Sequence, residues 1–145
     1  MSNITKYLEK KILDHSVGTT NFAKPTNTYA ALFTSTPTVD YTSGVPTGTE
    51  VSTSSTGYSR IVIAWENAVD NADLTNSSKV VNKTSDLVWT ATASWGASPV
   101  TTIGIFDTQS AGNLLWFGPL SANVSITAAG DTLTIPVGSL TLTLA

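Results

Sequence analysis

The sequence predicts an all-β protein with an N-terminal helical arm. The body reads as an antiparallel sandwich, jelly-roll or immunoglobulin-like, or a barrel, with about eight or nine strands. Three observations predict it. After Pro25, apolar residues recur at every second position in short runs. Clusters of Gly, Pro, Asn, Asp and Ser separate those runs. Thr is abundant throughout, and its branched Cβ packs well on a pleated surface. Only before Pro25 does the apolar spacing change to that of a helix. The 145 residues are enough for one core, and divide into an arm, 1–25, and a β body, 26–145.

Ser2 is a suitable N-cap for the arm. Ile4, Tyr7, Leu8 and Ile12 follow at spacings that share one helix face, and Leu13 adjoins them. Lys6, Glu9 and Lys10 lie off that stripe, and Gly18 is a natural stop. A helix of about three turns is marginal alone in water. Its stripe must therefore dock on the body or on another chain. Ile4, Tyr7, Leu8, Ile12 and Leu13 are the candidate protein-interface residues.

Thr28 to Thr34 is the first strand of the body, with Tyr29, Ala31 and Phe33 on one face. Residues 35–57 hold Pro37, Gly44, Pro46, Gly48 and Gly57 and read as a long loop, broken by a short strand near Val51. Loops of this length are usually functional or flexible. Ser59 to Trp65 alternates, with Ile61, Ile63 and Trp65 inward against Arg60, Val62 and Ala64. Asn67 to Asn76 is turn-like, and Lys79–Asn82 and Asp86–Thr90 are short strands. Ser94-Trp95-Gly96 and Pro99 mark a break. Val100–Phe106 and Asn113–Phe117 are strands joined by the 107–112 turn, and Ala122–Thr127 is a separate one. Gly130-Asp131 turns the chain into Thr132–Ile135. Leu140, Leu142 and Leu144 then alternate in a closing strand, which leaves the arm as the free end. No solenoid repeat or coiled-coil heptad is visible.

The charge is uneven. Residues 1–25 carry Lys6, Lys10, Lys11 and Lys24 against Glu9 and Asp14, a sum of +2; the rest carry Arg60, Lys79 and Lys83 against eight acids, a sum of −5. Four lysines suit an acidic protein surface, but phosphate binding needs denser charge, so no nucleic-acid partner is expected. No apolar stretch reaches the ~18 residues of a membrane span, and the N-terminus lacks the apolar core expected of a signal peptide.

Chemistry is scarce. With no Cys and a single His, the sequence offers neither a thiolate nor an ordinary zinc site. His15 at a helix end is a capping or dipole partner rather than a catalytic base. Asp70, Asn71, Asp73 and Asn76 cluster without calcium-loop spacing, as Asx turns do. Glu50, Glu66, Asp107 and Asp131 are carboxylates with nothing to pair them. No catalytic residue, metal ligand or cofactor is assigned, and the chain reads as a non-enzyme. Trp65 and Trp89 sit in strand patterns and belong to the core. Trp95 and Trp116 are the better surface candidates, and so the candidates for glycan binding.

A set of short motifs recurs in order along almost the whole chain: Tyr7-Leu8-Glu9, Ile12-Leu13-Asp14-His15, Tyr29-Ala30-Ala31-Leu32-Phe33-Thr34 with Pro37, and Thr49-Glu50-Val51. Gly57-Tyr58-Ser59-Arg60, Ala91-Thr92-Ala93-Ser94-Trp95-Gly96, Ile103-Gly104-Ile105-Phe106-Asp107, Gly112-Asn113-Leu114-Leu115 and Gly130-Asp131-Thr132-Leu133 continue the set. This pattern resembles a family of small virion structural proteins of tailed bacteriophages, described as tail-fibre or structural proteins.

The resemblance implies a protein made in the host bacterial cytoplasm and built into the phage particle, without an enzymatic role. Between virion roles, the short chain lacks the shaft or repeats of a long fibre. The expectation is therefore a capsid cement or decoration protein that binds the major capsid protein, or other virion proteins, through its arm and acts as a homo-oligomer. The alternative is a tail-fibre, fibre-tip or baseplate component that binds a host glycan.

Overall fold

The computed structural model describes residues 3–38, 45–70, 77–82 and 84–144. Among these, the element order is β1 (Asn3–Ile4), α1 (Lys6–Val17), β2 (Thr28–Phe33), β3 (Ile61–Ile63), β4 (Val69–Asp70), β5 (Ser78–Val81), β6 (Leu87–Thr90), β7 (Val100–Phe106), β8 (Leu114–Val124), β9 (Thr132–Ile135) and β10 (Thr141–Leu144). The fold is an all-β sandwich with one short N-terminal helix. One sheet has the order β1-β8-β7-β2-β3. Facing it are a three-stranded sheet, β10-β5-β4, and a two-stranded one, β6-β9. All pairings are antiparallel.

The two small sheets share one register. Val81 faces Thr141 and Leu87 faces Ile135, so equal lengths of chain separate the ladders on both sides. They amount to one long antiparallel pair interrupted in the middle. Pro136 lies in the gap and can donate no ladder bond. Asn82, almost fully buried, closes the gap instead. Its side chain donates to the Pro136 carbonyl at 3.2 Å and accepts from the Leu140 amide at 3.0 Å. Its carbonyl accepts from the Gly138 amide at 3.0 Å.

Period-two alternation decides which residues meet between the layers. Ala30, Leu32, Ile63, Ile103 and Ile105 come from the large sheet. Leu87, Trp89, Leu133, Ile135, Leu140 and Leu142 come from the small ones and join the same core. The opposite face of the large sheet carries a second cluster, Ala31, Phe33, Phe106 and Leu114. Gly104 lies beneath it. A Cβ there would come within 2.8 Å of both Leu114 and Phe33, so the close packing needs glycine.

The N-terminus departs from the expected arm. Ser2 lies outside the described residues, and the helix is capped by Thr5. Ile4 is not on the helix stripe; it pairs in β1 with Trp116 of β8. A capping residue with extended backbone lets the preceding residues run on as a strand. Thr5 anchors both neighbours. Its Oγ1 accepts from the Leu8 amide at 3.3 Å and donates to the Leu114 carbonyl at 2.8 Å. Its own amide donates to the Leu115 carbonyl at 2.9 Å. Replacing Thr5 by Ala is expected to cost about 1–2 kcal/mol of stability, read from the urea midpoint, with Thr5→Ser recovering most of it. A Thr5→Ala midpoint equal to wild type would refute this anchoring role.

Two further expectations are revised. Asn113–Phe117 and Ala122–Thr127 are not separate strands; β8 runs continuously from Leu114 to Val124. It passes Pro119 by a large bulge, where the register jumps from Pro119 opposite Thr102 to Val124 opposite Val100. The stretch after Thr34 is also more ordered than a loop. Val51 donates to Leu32, Thr34 donates to Thr49, and Thr47 donates to Thr38, so the chain folds back as an antiparallel extension of β2. Residues 39–44 of that stretch lie outside the described residues.

Candidate functional site

The five arm residues divide. Ile4 is held in the sheet and Leu8 is buried against it. Tyr7 is half-buried, and its hydroxyl pKa is raised first by that burial and then by the negative charge of Asp107. Ile12 sits at the boundary, whereas Leu13 is 61% exposed and Val17 is 86% exposed. Leu13 and Val17 are spaced i, i+4, so they form a small apolar pair on the helix face away from Leu8. The arm therefore docks on its own body through its first turn and leaves its far side open.

The tryptophans also divide, but not as expected. Trp95 is buried, contrary to its surface placement from sequence. Its indole donates to the Thr56 carbonyl at 3.1 Å and packs edge-on against Tyr58. Trp89 is buried and donates to the Ser59 carbonyl. Trp65 and Trp116 are partly buried and pack against the core. They line one cleft of about 590 Å³, where α1 and the segment leading into β2 overhang the end of the sandwich.

Hydrogen bonds and strand pairing hold the walls of this cleft. The Trp65 indole donates to Thr28 Oγ1 at 2.7 Å. The Phe22 amide donates to His15 Nδ1 at 3.2 Å, so the sole histidine closes the turn that carries Phe22 to the cleft. Trp116 is held in β8 between Ile4 and Ile105. The floor is apolar, with Ile63, Ile105 and Leu142. The rim is polar, with Lys24, Asn27, Glu66 and Asn67. No side chain of these four is bonded to another described residue. Sequence reasoning found Trp116 but missed Trp65, Phe22 and the rim. These residues lie far apart in the chain, and only the docked arm brings them together.

The carboxylates have structural partners. Glu50 faces Phe33 across the β2 extension. It takes a two-pronged ion pair from Arg60, at 2.9 and 2.7 Å, and a hydrogen bond from the Tyr58 hydroxyl at 2.8 Å. Arg60 is buried rather than solvent-facing as the alternation implied. It lies over the Phe106 ring and donates to the Thr108 and Ala111 carbonyls, which holds the 107–112 turn. Burial, followed by the Glu50 charge, pushes the Tyr58 hydroxyl pKa far up, so it stays a donor. Asp107 accepts twice from Asn113. Asp131 accepts from the amides of Thr127 and Ala128, which lowers its pKa. Glu66 alone of the four reaches the cleft. Of the Asx group, Asp70 lies in β4 and the others fall outside the described residues. Among the described residues, no three His, Cys, Asp or Glu gather to hold a metal, and no helix is long and apolar enough to cross a membrane.

Residues 3–143 match the family described as Podophage GP4 fiber I protein gp80. The chain belongs to that family. The match takes in β1, the helix, both layers and nearly all of β10. Among curated proteins, none matches the chain. Membership in the gp80 fibre family makes this a phage virion structural protein. The docked arm, the Glu50–Arg60 pair and the aromatic cleft are thus features of a particle component.

Proposed function

We propose that the protein is a non-catalytic component of the tail-fibre assembly of a podophage. The match to a fibre-described family over residues 3–143 carries this reading. The docked arm supports it. A cement protein bridging capsomers through its arm needs that segment free, yet Asn3 to Leu8 is engaged by its own sheet. The four carboxylates weighed for hydrolysis are dispersed, and three of them serve turns or a buried ion pair. Contacts to other fibre subunits, including further copies of the chain, use the exposed Leu13 and Val17 on α1. The net charge of −3 disfavours nucleic acid as a partner.

The test is direct. Antibody-labelled intact particles, viewed by electron microscopy, are expected to carry label on the tail fibres. Label distributed over the head would overturn the reading and restore capsid decoration.

A further inference from the structure

We propose that the cleft between Trp65 and Trp116 binds a neutral saccharide, which gives the fibre component a receptor-contacting site; this rests on the fibre reading above. The argument begins with the wall. Trp65, Trp116 and Phe22 are partly buried aromatics that line one cavity; an indole hydrogen bond to Thr28 holds Trp65, and the Phe22 backbone amide is held by His15. Trp65 and Trp116 pack against the core and still line this space, and a ligand with an apolar face would cover what they leave open. The C–H face of a pyranose ring is such a surface.

The rim supplies the complementary half. Sugar hydroxyls both donate and accept. Asn27 and Asn67 do the same through their amides, Glu66 accepts and Lys24 donates. None of these side chains is bonded to another described residue, so all four are available. One cation and one anion leave the rim without net charge, which favours a neutral sugar over a sialic acid or a phosphate. The volume, about 590 Å³, is within the range of small-molecule sites and suits a short oligosaccharide. A second cavity of about 510 Å³ lies beside β8 and β9, but its walls carry no aromatic residue and its polar groups are hydroxyls alone. It lacks both halves of the recognition.

The full chain should be titrated with maltoheptaose, cellohexaose, chitohexaose and neutral polysaccharide extracted from bacteria the phage infects. The readouts are tryptophan fluorescence and calorimetry. Saturable binding to at least one of these is expected. The exposed Glu66→Ala and Asn67→Ala substitutions should each weaken it about tenfold, the loss of one to two hydrogen bonds, with an unchanged melting temperature. Trp65→Ala should abolish it, but Trp65 also packs on the core, so the rim variants carry the test. Three results would overturn the proposal. One is a folded wild type that binds none of the probes. Another is binding unaffected by the Glu66→Ala, Asn67→Ala pair. The third is concentration-dependent self-association that the same pair abolishes, which would assign the cleft to a second copy. Label on the fibres with no saccharide bound would sink the cleft alone. Saccharide binding with label on the head would sink the fibre reading alone.

Discussion

Arg60→Ala is expected to cost about 3–5 kcal/mol, a large part of the stability of a domain this size. The side chain of Arg60 is 8% exposed and that of Glu50 is 25% exposed, so the pair is largely withdrawn from water. Removing the guanidinium leaves Glu50 with only the Tyr58 hydroxyl. It also strips the Thr108 and Ala111 carbonyls of their donor and uncovers the Phe106 ring. The cost is the penalty of stranded polar groups, which exceeds the net worth of the ion pair itself. Arg60→Lys should recover little, because a single ammonium cannot span both Glu50 oxygens and two carbonyls while lying flat on a ring. Urea denaturation of the three proteins decides the matter. A loss for Arg60→Ala below about 1 kcal/mol would mean the pair behaves as a surface salt bridge.

Phe33→Ala should have an effect of the same order, about 3–5 kcal/mol. Phe33 is fully buried and stacks on Phe106 with ring centroids 6.2 Å apart. Its cluster is small and lies outside the main core, so few neighbours can move in to fill the space. Phe106 touches both Phe33 and Arg60, so the two substitutions share a neighbour. Their effects should fail to add by roughly 0.5–3 kcal/mol in a double-mutant cycle. Strict additivity would show that the second cluster and the Arg60 clamp are independent.

Much of the fold was legible because burial in a sandwich writes a period of two into the sequence. Thr132–Ile135 is found where alternation places it, whereas Thr28–Phe33 and Val100–Phe106 are buried on both faces and were found as short runs bounded by turn residues. Arg60 broke the reading because a charged residue on an alternating strand normally faces water. Its partner Glu50 is ten positions away in an irregular segment, and no pattern links the two. Ile4 was misassigned for a local reason. It fits the helical spacing, and only the cap at Thr5 reveals that the helix starts after it. The split of β8 into Asn113–Phe117 and Ala122–Thr127 missed a strand that runs through Pro119, which a bulge accommodates. The cleft was the least legible part. Trp65 belongs to a strand pattern, Phe22 to a linker and Trp116 to a third segment, so their meeting is a property of tertiary structure.

The bonds that tie Thr5 to Leu114 and Leu115 carry a consequence for the order of folding. Thr5 and Leu114 are 109 positions apart, so the first strand cannot find its place until most of the chain has been synthesised. Closing so long a loop is entropically slow, and the reward arrives only when β8 already has its register on β7. During that interval α1, too short to persist alone, has no surface to rest on, and its lysines and apolar residues are open to other chains. The aromatic cleft is then unmade as well, since Leu8 and Phe22 supply part of its wall. Completion of the cleft thus waits on contacts that span most of the chain, which ties maturity of that end of the molecule to maturity of the fold.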